Sequence, residues 1–147
     1  MHIGLTARLD TPFPETVEQT REALREQGFG VLTQIDVRAT LREKIGENME
    51  DYVILGACNP RLAHRALGVD RQVGLLLPCN VVVRSDGEQT VVEAVDPATM
   101  VAATGEQALT PIADEAARLL RAALDTLTPR QATGSGTVTP GQTGGQV

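Results

Sequence analysis

Two cysteines carry most of the chemistry this sequence can offer. Cys58 closes the apolar run Tyr52-Val53-Ile54-Leu55-Gly56-Ala57 and is followed by Asn59-Pro60. That pair opens a helix, because Asn caps free amides and Pro suits the first turn. A thiol just before a helix feels the positive end of its dipole and unpaired N–H groups, and both favour thiolate. Cys58 therefore reads as a reactive or metal-ligating thiol or, more plainly, as a small hydrophobe at the edge of the core.

Cys79 stands 21 positions further on, directly after Pro78, where a strand begins. If that strand runs antiparallel beside the one ending at Cys58, the two sulfurs become neighbours, as a redox pair or as half a metal site. The spacing matches no CxxC signature, and a disulfide requires Cα atoms within about 7 Å. His64 lies six positions after Cys58 and would complete a Cys58, Cys79, His64 set for zinc or copper. Six residues along a helix is about one and a half turns, so the plainer reading is a surface histidine. His2 is a weaker candidate on the outward side of the first strand. Asn59 and Asn80 each follow a cysteine; their amides suit a bound carbonyl or anion, or simply capping and turns. Arg61 and Arg65 lie near the same helix start, where an anion would be favoured. Asp36 and Asp96 read as caps. Walker, GxGxxG, HExxH, GxSxG and CxxC motifs are all missing from the sequence. No catalytic group or particular cofactor is singled out, and whether the protein is an enzyme stays open.

Composition narrows the partners. The 147 residues fit one domain, with a net charge of −6 and 41% apolar content. Phe13, Phe29 and Tyr52 are the only aromatics, so bases find few stacking platforms. The acidic balance argues against non-specific nucleic-acid binding and against an anionic membrane surface. No apolar run is long enough to span a bilayer. The N-terminus has no signal-peptide pattern, which predicts a cytoplasmic protein with free thiols.

The elements that must position these residues are marked by alternation and by Gly and Pro. Residues 2–9 alternate as a strand; a helix follows from Pro14 to Gln27 and stops at Gly28. Phe29, Val31, Thr33 and Ile35 alternate as a second strand. Asp36 caps a short helix to Ile45, with Leu41 and Ile45 expected inward. Residues 52–58 are apolar on both sides, which predicts a central strand covered on both faces. A helix runs from Pro60 to Leu67. Residues 80–84 and 90–95 form two strands around the Ser85-Asp86-Gly87-Glu88 turn. A short helical turn runs from Asp96 through Val101. The last helix, from Thr110 to Leu127, has an apolar face of Ile112, Ala116, Leu119, Leu120, Ala123 and Leu127. The order is β-α-β-α-β-α-β-β-α. It predicts a two-layer α/β (α+β) domain over residues 1–127, with a mixed or antiparallel sheet of about five strands. Residues 128–147 carry five Gly, five Thr, two Pro and one charge, Arg130, and read as a disordered tail.

Four stretches resemble one family. They are Ile54-Leu55-Gly56-Ala57-Cys58-Asn59-Pro60, Glu26-Gln27-Gly28-Phe29-Gly30-Val31, Leu75-Leu76-Leu77-Pro78-Cys79-Asn80-Val81 and Val95-Asp96-Pro97. Together they are similar to the domain of unknown function 302 family over about residues 3–127. The resemblance implies a compact two-layer domain and a homodimer, and no activity. Three readings of function follow: a small-ligand or metal-binding module with Cys58, Asn59, Cys79 and Asn80 at the site; a thiol redox protein or enzyme using Cys58 with Cys79; and a structural or interaction protein with both cysteines in the core.

Overall fold

The computed structural model describes residues 3–128; His2 and the residues beyond 128, the expected tail, lie outside them. Strand β1 (Gly4–Leu9) leads through Pro12 into helix α1 (Phe13–Glu26). Then come β2 (Gly30–Asp36), α2 (Val37–Ile45), β3 (Tyr52–Cys58) and α3 (Pro60–Val69). A 3-10 segment, Arg71–Leu76, joins α3 to β4 (Cys79–Asp86), which turns back into β5 (Gln89–Val95). Helix α4 (Ala98–Thr104) and helix α5 (Thr110–Leu127) close the fold. Among the described residues no helix is long and apolar enough to cross a membrane.

The five strands form one sheet in the order β1-β5-β4-β3-β2, and every pairing is antiparallel. Helices α1 and α5 pack on each other and on one face of the sheet. The period-2 alternation sends Val53, Leu55 and Ala57 of β3 and Val81 and Val83 of β4 into that layer, each at most 5% exposed. Leu24 and Leu120 meet them from the helices. A second cluster under α3, α4 and the start of α5 holds Leu62, Ala66, Val73, Met100, Leu109 and Ile112.

Three details differ from what the sequence predicts. Strand β3 is interior, between β4 and β2, but Tyr52 and Ile54 on its second face are only half-buried. Their apolar character matches neighbours in the sheet, Val82 and Ile35, rather than a second helical layer. Helix α2 buries none of its residues, and Ile45 is 64% exposed. It follows an edge strand, where little of the fold is within reach to cover it. Finally, β2 does not keep one alternation along its length. Val31 pairs with Ala57 and Thr33 with Gly56, so Leu32 is an extra residue, a β-bulge. Beyond it the faces swap: Gln34 comes opposite Leu55, and Thr33 and Ile35 come opposite Gly56 and Ile54.

Candidate functional site

Cys58 sits where β3 gives way to α3. Its predecessor Ala57 is the last β3 residue paired with β4, and its partner there is Cys79. Cys58 itself pairs only with Gly30 of β2. The antiparallel β3–β4 ladder thus brings the two cysteines to adjoining rungs, 21 residues apart in the chain, as the sequence reading required. Both are free thiols; Cys58 is half-buried and Cys79 is buried. Strict alternation would send their side chains to opposite faces, a poor geometry for a disulfide. Cys58, however, lies past the last rung with β4, and it shares with Cys79 the lining of one hollow.

That hollow holds about 30 Å³ of free space, room for one or two water-sized bodies. Helix α3 contributes Leu62, Ala63 and Ala66 to its wall; Leu77 precedes β4; Met100 comes from α4, and Ile112 and Ala116 from α5. Phe29, at the turn into β2, closes the wall and is 2% exposed. The wall is almost wholly apolar. Burial pushes the Cys79 thiol up from its ordinary range, and the neighbouring Cys58 adds to the effect. Both causes disfavour the thiolate, so Cys79 is a neutral thiol at physiological pH.

Asn59 serves first as a cap. Its Oδ1 accepts from the Leu62 N–H at 3.3 Å, and its carbonyl accepts from the Ala63 N–H at 2.9 Å. Its Nδ2 leans over Gly28, whose backbone has φ +87°; a Cβ there would lie 3.1 Å from Nδ2. The turn from α1 into β2 therefore passes close to the α3 start only because residue 28 has no side chain. A second glycine matters on the other side of the sheet. A Cβ on Gly56 would stand 2.2 Å from Thr33 Oγ1 and 2.9 Å from Pro78 Cγ.

The remaining candidates scatter. Asn80 is exposed on the bare face of the sheet, beside Tyr52, Val82 and Glu93, because alternation along β4 turns it away from Cys79. His64 is exposed on α3 in a groove with Arg61, Arg65 and Glu115, and Arg65 Nη1 donates to Glu115 Oε1 at 3.0 Å. Among the described residues no three His, Cys, Asp or Glu side chains gather to hold a metal, so His64 is not brought to the two thiols. Asp36 caps α2, its Oδ1 accepting from the Ala39 N–H; Asp96, expected as a cap, instead accepts from the Ala98 N–H in the turn before α4, whose N-cap position is Pro97. Met100 is the site residue that sequence reasoning passed over. A lone Met on a short helix carries no signal that distinguishes a lining residue from core.

The sequence matches the family described as "Domain of unknown function DUF302" over residues 5–127. The chain belongs to the DUF302 family. Its structure is similar to the crystal structure of the uncharacterized conserved protein DUF302 from Bacillus stearothermophilus, with a TM-score of 0.81 and 35% sequence identity. That likeness covers 86% of this chain and 99% of the other. No curated protein matches the chain. The DUF302 assignment accounts for the two-layer domain and carries no chemistry with it.

Proposed function

We propose that this DUF302 protein is a small-ligand or metal-binding module whose site is the hollow at the end of β3. The observation that carries this reading is the convergence of Cys58 and Cys79 from adjoining rungs on one apolar space. Two adjoining thiols with a helix N-terminus beside them form a polar, polarisable spot in an otherwise hydrocarbon wall. Binding sites commonly have this character: apolar lining with a few placed polar groups. Free thiols fit a reducing cytoplasm.

A thiol redox protein is the second reading, and the adjoining cysteines favour it too. The neutral state of Cys79 weighs against that residue as attacking nucleophile, since exchange requires thiolate. Cys58 would have to attack and Cys79 resolve.

The test is a nuclear magnetic resonance titration of the reduced, full-length protein with xenon and with zinc(II) in turn. A binding module gives saturable shifts confined to the amides of residues 57–63 and 77–80. If neither probe moves those amides, the reading fails.

A further inference from the structure

We infer that Cys58, Cys79 and Met100 form a three-sulfur site for a soft monovalent metal ion of the copper(I) class. The inference rests on the reading of the hollow as a binding site and names its occupant.

Size comes first. A space of about 30 Å³ admits one or two water-sized bodies; a drug-sized molecule occupies some ten times that volume. A single ion fits without parting α3 from α5. Donor chemistry comes next. The side chains on the wall able to donate to a metal are two cysteine sulfurs, the thioether of Met100 and the amide of Asn59. Asn59 Oδ1 is already engaged with the Leu62 N–H. No carboxylate or imidazole lines the hollow. Hard cations select oxygen, and zinc selects four donors drawn from Cys, His and carboxylate; thiolate with thioether selects copper(I).

Charge points the same way. An apolar wall tolerates a neutral complex far better than a charged one. A monovalent ion is neutralised by one thiolate, leaving the second cysteine as thiol and the methionine as neutral donors. Cys58 takes that role, because it is the less buried of the two sulfurs. The Cys58 S–H bond breaks, its proton goes to solvent, and a sulfur–copper bond forms. The copper stays at +1, so no oxidant or reductant takes part.

The experiment uses the full-length, untagged, reduced chain under anaerobic conditions, titrated with copper(I) against a competing chelator. One copper(I) per chain is expected, with only sulfur neighbours by X-ray absorption. Cys58→Ser should weaken binding by more than about a hundredfold, beyond the usual cost of losing a second-shell partner. Met100→Leu preserves volume and should weaken binding by about tenfold without moving the thermal midpoint of the metal-free protein. Copper(I) held equally well by M100L, or nitrogen or oxygen neighbours in the absorption spectrum, would overturn the three-sulfur site. Absence of copper(I) binding overturns it as well. If xenon or zinc(II) still shifts the amides of the hollow, the binding-module reading survives that failure; if neither does, both readings fall together.

Discussion

The middle of the sheet and its β2–α2 limb are built from similar residues and end in opposite conditions. Leu55, Val81, Val83 and Val92 are fully buried, pressed between strands on both sides and the α1–α5 layer. On the limb, Leu32 is 67% exposed, Ile35 48% and Ile45 64%. Apolar character is thus not what places a residue inside. Helical cover decides it: β1 is an edge strand like β2, yet Leu5, Ala7 and Leu9 are buried where α5 packs on β1, whereas α2 buries none of its own residues beside the limb. The candidate site lies on the boundary, at the end of the strand that joins the two regions. Cys58 pairs outward to Gly30 on the limb, and its neighbour Ala57 pairs inward to Cys79.

The sharpest way to break this contrast is a pair of truncations. Leu55→Ala should cost about 2–5 kcal/mol, read as a fall in the urea midpoint. Ile45→Ala should stay within about 0.5 kcal/mol; a loss as large as that of Leu55→Ala would mean that the limb is covered by something in solution. Gly56→Ala comes next, at about 1–3 kcal/mol, because a methyl group there meets Thr33 Oγ1 and the Pro78 ring. Adding Thr33→Ala should recover part of that loss, a coupling that a double-mutant cycle detects. Asn59→Ala should cost about 1 kcal/mol through loss of the α3 cap. It should also loosen the Gly28 turn, seen as faster amide exchange at Gly28 and Phe29.

A smaller effect is confined to alkaline pH. The folded state raises the Cys79 thiol above its unfolded value, so between the two values the folded chain binds the extra proton. Stability is then flat below about pH 8.5, the ordinary thiol range, and falls as pH rises through the folded Cys79 titration. Denaturation curves at pH 7 to 10 should show the decline, and Cys79→Ala should flatten it. An unchanged slope in that variant would assign the decline to other groups.

Much of this architecture is legible in the residues themselves. Alternation and Gly and Pro punctuation give the order of the elements, and the Asp86-Gly87 turn gives the β4–β5 hairpin. The adjacency of Cys58 and Cys79 is only conditional on β4 lying antiparallel beside β3, a pairing the residues leave open and the sheet supplies. Other features were hidden for physical reasons. A helical apolar stripe records a propensity and not whether a partner exists, so Leu41 and Ile45 looked inward. The bulge at Leu32 leaves no trace in a pattern of Val31, Thr33 and Ile35 that alternates perfectly well without it. Asn80 was placed with Cys79 by adjacency in the chain, although neighbours along a strand point to opposite faces. Met100 reaches the hollow through tertiary packing alone.

The bulge at Leu32 has a consequence for the molecule among its own copies. An outer strand with apolar side chains and unpaired N–H and C=O groups is a template on which another chain can extend the sheet. In β2 the extra residue interrupts the regular spacing of those groups between Val31 and Thr33 and increases the local twist. A straight incoming strand can match the edge on one side of the bulge and not on both. The protein can therefore display Leu32 and Ile35 to solvent while denying a second strand the flat, continuous register from which fibrils grow.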